Sequence, residues 1–234
     1  MQSADFANSS YDKVFGSKMG YEYLLRADSR CALSEGSLFF EGKSAVQQAP
    51  HKVTRRLAEL EIPYAVVGGM ALSHHGFPRF TDDVNLLVSQ EGLREIHANL
   101  DGLGYLPPLS GSKHLRDTEV GVKIEFLITG QFPGDGKPKP VAFPDPQKPY
   151  VADSDGIRYL KLPLLVELKL ASGMTNPGRI KDLGDVQELI KVLGLAEDFA
   201  ERLNPYVRPK YRELWQGSQN AEEPGEPSAG DRSG

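Results

Sequence analysis

Three residues with oxygen-bearing side chains lie at spacings that suit a divalent cation. Asp83 and Asn85 are two positions apart in a run that favours a β-strand, so their side chains share one face, roughly 6–7 Å apart. Glu125 lies within a second strand-like run, Val120–Ile128, on the face opposite its apolar residues. Mg²⁺ prefers oxygen ligands, often one or two carboxylates completed by the phosphates of a substrate. The three residues therefore predict a metal site between two strands, although Glu125 alone equally fits a solvent-facing side chain beside Lys123.

Two consecutive glycines, Gly68 and Gly69, follow the short apolar run Tyr64–Val67. We expect that run to form a buried strand and residues 70–75 to form a short helix. Glycines let backbone N–H groups approach a ligand closely, and a helix N-terminus favours an anion. The turn is thus either a phosphate-binding element or a turn that uses glycine only for steric reasons.

The remaining pattern predicts elements around these residues. Apolar residues recur at helical spacing in four segments and at strand spacing in three, and a Pro- and Gly-rich loop spans 130–149. The predicted helices are 50–60, 90–100, 162–171 and 179–193, and the predicted strands are 64–67, 83–88 and 120–128. This order favours an α/β (α+β) fold, with a small mixed β-sheet flanked by helices and a helical C-terminal part.

Composition sets the domain organisation and excludes several classes of protein. We divide the 234 residues into a partly ordered N-terminal extension, 1–43, a main domain, 44–215, and a disordered tail, 216–234. The sequence has no apolar run long enough to span a bilayer and no pattern of a secretion signal, so we expect no membrane contact. The one cysteine, Cys31, rules out an internal disulfide, which favours a cytoplasmic location. A net charge of −5 provides no global basic field for nucleic acid.

Together these residues resemble the nucleotidyltransferase superfamily related to DNA polymerase β. The resemblance rests on Gly68-Gly69, on the Asp83-Val84-Asn85 strand thirteen residues further on, and on Glu125, and it covers roughly residues 50–195. The stretch GGMALSHHGFPRFTDDVNLLV and the later stretches LLVELKLASG and RIKDLGDVQEL look most similar to bacterial minimal nucleotidyltransferases of the abortive-infection toxin type.

The resemblance implies a mechanism and a set of partners. Gly68 and Gly69 would face the triphosphate of a nucleoside triphosphate, and Asp83, Asn85 and Glu125 would bind Mg²⁺ or Mn²⁺. Glu125 could instead help to deprotonate the acceptor hydroxyl. The acceptor would be RNA, a protein or a small molecule, and a cognate antitoxin is a candidate partner. The rate enhancement would come from positioning of the reacting groups and from stabilisation of charge, as in phosphoryl transfer generally.

Three cations are candidates for binding phosphate, and each has a second interpretation. Arg79 fits a phosphate ligand or a salt bridge within its loop. Lys169, in an apolar helix, fits a phosphate ligand or a side chain that extends its charge to solvent. Lys181 fits a phosphate ligand or a solvated helix face on which it pairs with Asp185 at i, i+4. The adjacent His74 and His75 lack partners at zinc-ligand spacing, so a zinc site is not favoured.

Asn85 departs from the pattern that the resemblance implies, because an acid is expected there. Its amide oxygen can bind a hard cation but adds no charge, so we expect weaker metal binding and impaired two-metal chemistry. Asp82 is expected to point to the opposite face of the strand and not to replace it. Two hypotheses follow: a metal-dependent nucleotidyltransferase that is impaired by Asn85, and a non-catalytic nucleotide- or partner-binding module of the same fold.

Overall fold

A computed structural model describes residues 20–109, 111–147 and 150–220 of the chain. Most of the predicted tail, and residues 1–19 of the predicted extension, lie outside these ranges. The division into extension, domain and tail stays a prediction. In the described part, residues 20–43 form two helices, and the last helix continues past residue 215 to Asn220.

Seven strands of the described ranges form one mixed sheet in the order β3-β4-β5-β2-β1-β7-β6. The strands are β1 Ala65–Val67, β2 Asp83–Val88, β3 Tyr105–Leu106, β4 His114–Asp117, β5 Lys123–Ile128, β6 Tyr150–Ala152 and β7 Arg158–Leu160. The central strand β2 pairs antiparallel with β1 and parallel with β5. The mixed sheet and the α/β class are therefore confirmed, and the sheet has more strands than the three that the sequence predicts.

Helices surround this sheet and make up the C-terminal part of the fold. They are α1 Tyr21–Ala27, α2 Ser29–Phe40, α3 Ala45–Glu59, α4 Gly68–His74, α5 Gln90–Leu100, α6 Leu162–Thr175, α7 Ile180–Leu193 and α8 Arg208–Asn220, with 3₁₀ turns at Pro177–Arg179 and Glu197–Arg202. Helix α5 begins where predicted because the Ser89 hydroxyl accepts a hydrogen bond from the backbone N–H of Gly92. None of the helices in the described ranges combines the length and apolar character that a bilayer span requires.

Strand alternation fixes which side chains of β5 are buried. Ile124, Phe126 and Ile128 are at most 2% exposed, whereas Lys123 and Glu125, which alternate with them along the strand, are partly exposed. The apolar face joins one continuous core with the helices. The polar face of β5 therefore remains open on the side of the sheet where the predicted site residues lie.

Helix α1 is attached to the edge of this sheet region. The backbone N–H of Tyr21 donates to the carbonyl of Gly121, and the Arg116 guanidinium donates to both carboxylate oxygens of Glu22 at 2.6 and 2.8 Å. Such a bidentate pair is geometrically specific. It brings α1 beside the polar face of β5.

Candidate functional site

The register of three neighbouring strands brings the predicted metal ligands together. Asn85 lies opposite Val67, the residue before the two glycines, and on its other side it lies opposite Glu125. Asp83 lies opposite Lys123 in the same parallel pairing of β2 with β5. Since residues two apart on a strand share a face, these four polar side chains occupy the same side of the sheet.

Both glycines are required by close packing at the start of α4. Gly68 has φ +65°, a left-handed conformation that favours glycine, and a Cβ there would lie 3.0 Å from Nδ2 of Asn85. A Cβ at Gly69 would lie 2.8 Å from the Cβ of Thr81. The helix starts at Gly68, two residues earlier than predicted. The steric interpretation of the glycines is thus accounted for, and phosphate binding stays a proposal.

Hydrogen bonds and an ammonium group orient the carboxylates. The Thr81 hydroxyl donates to Oδ1 of Asp83 at 2.9 Å. The ammonium of Lys123 lies 3.4 Å from Oε2 of Glu125 and 3.9 Å from Oδ2 of Asp83. Glu125 is thus a partly exposed carboxylate beside Lys123, and the same lysine also lies near Asp83. Its charge and that of Asp83 meet at one cation that the sequence reasoning did not place in the site.

A buried ion cluster forms on helices α6 and α7. The ammonium of Lys169 donates to Oδ1 of Asp182 at 3.1 Å and to Oδ2 of Asp185 at 2.7 Å, and all three side chains are at most 8% exposed. The Ser172 hydroxyl and Nε of Arg179 also donate to Asp182, at 2.7 and 2.9 Å. Lys169 is thus an internal partner of two aspartates rather than a side chain that reaches solvent.

Electrostatics favour the ionised form of the Asp182 carboxyl. Burial raises the pKa of the Asp182 carboxyl, but Lys169, Ser172 and Arg179 together outweigh it, so the pKa lies below its ordinary value of 3.8. Asp185 also meets Arg79, whose Nε lies 2.9 Å from Oδ1, although the Nε–H is not aligned for a hydrogen bond. Arg79 therefore forms a salt bridge, to α7 instead of within its loop.

One cavity of about 650 Å³ collects the predicted residues. Its lining includes every site residue that the sequence proposes: Gly68, Gly69, Arg79, Asp83, Asn85, Glu125, Lys169 and Lys181. Asp82, expected to point away, also lines it. The carboxylates on the sheet and the cations of α6 and α7 therefore border the same space, and sequence reasoning missed its contributions from Glu22 of α1 and from Asp182.

The two adjacent histidines have packing roles beside this cavity. The His74 ring stacks on Tyr159 with centroids 4.0 Å apart, and Nε2 of His75 lies 2.8 Å from the carbonyl oxygen of Leu160, to which it donates. Burial, reinforced by His75, lowers the pKa of His74 below 6.5. These contacts join α4 to β7 and account for both rings without a metal.

The donor set at the sheet suits one divalent cation better than two. Asp83 and Glu125 supply two carboxylates, and Asn85 adds an amide oxygen, which are hard ligands that suit Mg²⁺ together with phosphate oxygens. No group of three or more His, Cys, Asp or Glu residues suited to a metal occurs within the described ranges. Two bridged ions would require more anionic ligands than these two carboxylates.

Comparison with known proteins finds only distant similarity. No family model matches the chain, and no curated protein does. Among solved structures, the chain is similar to the antibiotic-resistance factor ANT(2'')-Ia in solution, with 16% identity, a TM-score of 0.45, and coverage of 73% of this chain and 91% of that one. It is also similar to a crystal structure of ANT(2'')-Ia with adenylyl-2''-tobramycin, with 13% identity, a TM-score of 0.43, and coverage of 75% and 98%.

A third similar structure is a protein of Thermotoga maritima provisionally classed as a nucleotidyltransferase. It has 18% identity and a TM-score of 0.39, with coverage of 62% of this chain and 91% of that one. At TM-scores below 0.5 and such low identities, these likenesses establish neither the fold family nor the function of this chain. The geometry of the cavity is therefore the basis for inferring the function.

Proposed function

We propose that this protein is a nucleotidyltransferase, which transfers a nucleotide from a nucleoside triphosphate to an acceptor hydroxyl and releases pyrophosphate, in the cavity between the sheet and helices α6 and α7. The observation that carries the proposal is the convergence of the glycine turn, the carboxylates of Asp83 and Glu125, and the cations of the helices on one cavity. Cations opposite carboxylates suit a phosphate chain together with its counter-ion, since phosphoryl transfer depends on positioning and charge stabilisation.

Each part of the cavity has a role in this proposal. The backbone N–H groups of Gly68 and Gly69, at the start of α4, approach the triphosphate. Arg79, Lys169 and Lys181 offset phosphate charge. Of these, Lys181 is the exposed one, whereas Lys169 acts from within its ion cluster. Glu125 accepts the proton of the acceptor hydroxyl or contributes to cation binding.

Asp83, Asn85 and Glu125 would hold a divalent cation, Mg²⁺ or Mn²⁺, that accompanies the nucleotide. The cation would supply charge neutralisation at the phosphates. The chain's own contribution is orientation, because Thr81 fixes Oδ1 of Asp83 and leaves Oδ2 available as a ligand. The proposal extends to the toxin-type subgroup, with a cognate antitoxin as partner, to a cytoplasmic location, and to RNA, a protein or a small molecule as acceptor.

Asn85 favours a second candidate, a non-catalytic module that binds nucleotide on the same surface. A neutral amide in place of a carboxylate that binds the metal directly costs orders of magnitude in rate, on the scale of several kcal/mol for one lost charge-assisted contact. Binding through the glycines and the helix cations would survive that loss. The two candidates share the ligand and differ only in turnover.

One pair of measurements decides between them. The protein is incubated with labelled ATP, GTP, CTP or UTP, Mg²⁺ or Mn²⁺, and a cell extract as a source of acceptor, and nucleotide affinity is measured by calorimetry. We expect the rate of transfer to fall about 100-fold or more in Asp83→Asn and to rise in Asn85→Asp, on the scale of one direct contact with the reacting groups. Asp145→Asn is the matched control, because Asp145 is exposed in the loop and outside the cavity.

Binding without turnover in both the wild type and Asn85→Asp would support the second candidate. Absence of binding to all four nucleotides would refute both candidates. It would leave a structural or partner-binding role for the extension and the 130–149 loop.

A further inference from the structure

Lys123 occupies a position in the site that the resemblance does not account for. It is the first residue of β5 and lies directly opposite Asp83 in the parallel pairing with β2. Its ammonium lies 3.4 Å from Oε2 of Glu125 and 3.9 Å from Oδ2 of Asp83, so it contacts both carboxylates of the proposed cation site. Its side chain is 33% exposed, and although Lys123 does not itself line the cavity, the two carboxylates that it contacts do.

Asn85, the neutral residue of the site, is adjacent to the two carboxylates that Lys123 contacts. Asn85 lies opposite Glu125 and two residues from Asp83, at the position where the resemblance predicts an acid. Two carboxylates and one ammonium give the local set a net charge of −1. Three carboxylates without a lysine would give −3. Two independent features of the chain, Asn85 and Lys123, thus change the local charge in the same direction.

We propose that the ammonium of Lys123 takes the place of the second metal ion, so that the site binds a single divalent cation. This inference rests on the proposed function for the identity of the site. One divalent ion brings the local set to a net charge of +1, whereas a second would bring it to +3 and would be repelled by the ammonium. Lys123 thereby supplies, from the chain itself, a fixed positive charge beside Glu125.

An ordinary surface ion pair is the alternative explanation of Lys123. Exposed pairs contribute little to stability and have no reason to meet a site. Lys123, however, bridges two carboxylates from different strands, and both of these line the cavity. The two explanations differ in their effect on metal binding, which can be measured without nucleotide.

The first experiment titrates Mn²⁺ into the full chain without nucleotide and follows free Mn²⁺ by electron paramagnetic resonance. We expect Lys123→Met, and the polar variant Lys123→Gln, to bind Mn²⁺ about tenfold or more tightly than the wild type, because the positive charge that lies 3.4 and 3.9 Å from the two carboxylates is removed. Lys113→Met is the matched control, since Lys113 is an exposed lysine bonded to Gln131. Unchanged affinity in both Lys123 variants, or an equal gain in the control, would overturn the proposal.

The second experiment counts metal ions in the presence of non-hydrolysable α,β-methylene nucleoside triphosphates. We expect one Mn²⁺ per chain in the wild type and two in the double variant Lys123→Met/Asn85→Asp, which restores three carboxylates. Two Mn²⁺ ions bound at the site of the wild type would overturn the proposal. If no nucleotide analogue binds, the proposed function fails, and the nucleotide-free titration still decides the role of Lys123.

Discussion

At the scale of single residues, Lys169 has the clearest energetic role. Its ammonium is the partner of both Asp182 and Asp185, and none of the three side chains is more than 8% exposed. Removing one partner of a buried ion pair leaves charge without compensation in a medium of low dielectric constant. We therefore expect Lys169→Met to lower the free energy of unfolding by about 3–5 kcal/mol, measured by urea denaturation.

Lys191, on α7, gives the matched comparison for this prediction. Lys191 pairs with Glu188 at 3.0 Å, but these side chains are 32% and 47% exposed. Lys191→Met should cost less than about 1 kcal/mol, because water screens such a pair. Similar losses in the two variants would contradict the assignment of Lys169 as the centre of a buried cluster.

Residue-level prediction succeeded where strand periodicity alone decides. The alternation of side chains predicts that Asp83 and Asn85 share one face of β2 and that Glu125 lies on the polar face of β5. The structure has both features. Sequence reasoning placed Lys123 beside Glu125 but did not identify its contact with Asp83 or the partners of Lys169, because these depend on the register between β2 and β5 and on how α6 meets α7. The i, i+4 spacing pairs Asp185 with Lys181, yet Lys169 and Arg79 bind it from elsewhere in the chain.

At the scale of elements, the contact between α4 and the segment before β2 couples the glycine turn to the proposed cation site. Gly69 packs against Thr81, and Thr81 holds Asp83. We expect Gly69→Ala to cost about 1–3 kcal/mol of stability, because its Cβ would lie 2.8 Å from that of Thr81 and must displace it. Nucleotide affinity, measured by calorimetry, should fall with it.

A glycine in an open position tests whether the effect comes from this contact. Gly36 lies in the middle of α2, and a Cβ there would meet nothing within 4 Å. Gly36→Ala should stabilise the fold by up to about 1 kcal/mol, since alanine is the better helix former. If Gly69→Ala also stabilised the protein, the close contact with Thr81 would be refuted.

Element prediction worked for segments with a strong period and clear boundaries. Strand β2 and helix α5 begin and end where the sequence predicts, because Ser89 separates a strand pattern from a helical one. Strands β3, β4 and β7 are two to four residues long, too short for a periodic signal, and they form through pairing with neighbours. Helix α3 begins at Ala45 rather than near Pro50, which lies inside it.

At the scale of the whole molecule, the N-terminal helices belong to the same body as the sheet. Tyr21 and Phe39 are at most 1% exposed and join the central core, and Glu22 of α1 lines the cavity. The aromatic residues of the extension predict that it packs partly on the main domain, but local sequence could not predict the bond between Glu22 and Arg116, which are 94 residues apart. The site is therefore completed by a segment outside the stretch that carries the family resemblance.

The attachment of α1 should show itself in the pH dependence of stability. Hydrogen bonds from Arg116 hold the pKa of Glu22 below its ordinary value of 4.5. A carboxyl with a lowered folded-state pKa contributes stability that is fully present above the unfolded pKa and is lost as pH falls through the folded one. The stability difference between the wild type and Glu22→Gln should thus be constant above pH 4.5 and shrink below it.

Urea unfolding of both proteins between pH 3 and pH 7 measures this difference, with Glu91→Gln, from the exposed pair of Glu91 with Arg94, as the control. Since the side chains of Arg116 and Glu22 are 29% and 30% exposed, solvent screening limits the difference to about 1 kcal/mol at neutral pH. A difference that grows as pH falls, or is the same at every pH, would show that the ion pair does not hold α1 to the sheet. The expected result would instead show that the contact between Glu22 and Arg116 holds α1, which lines the cavity, to the folded sheet.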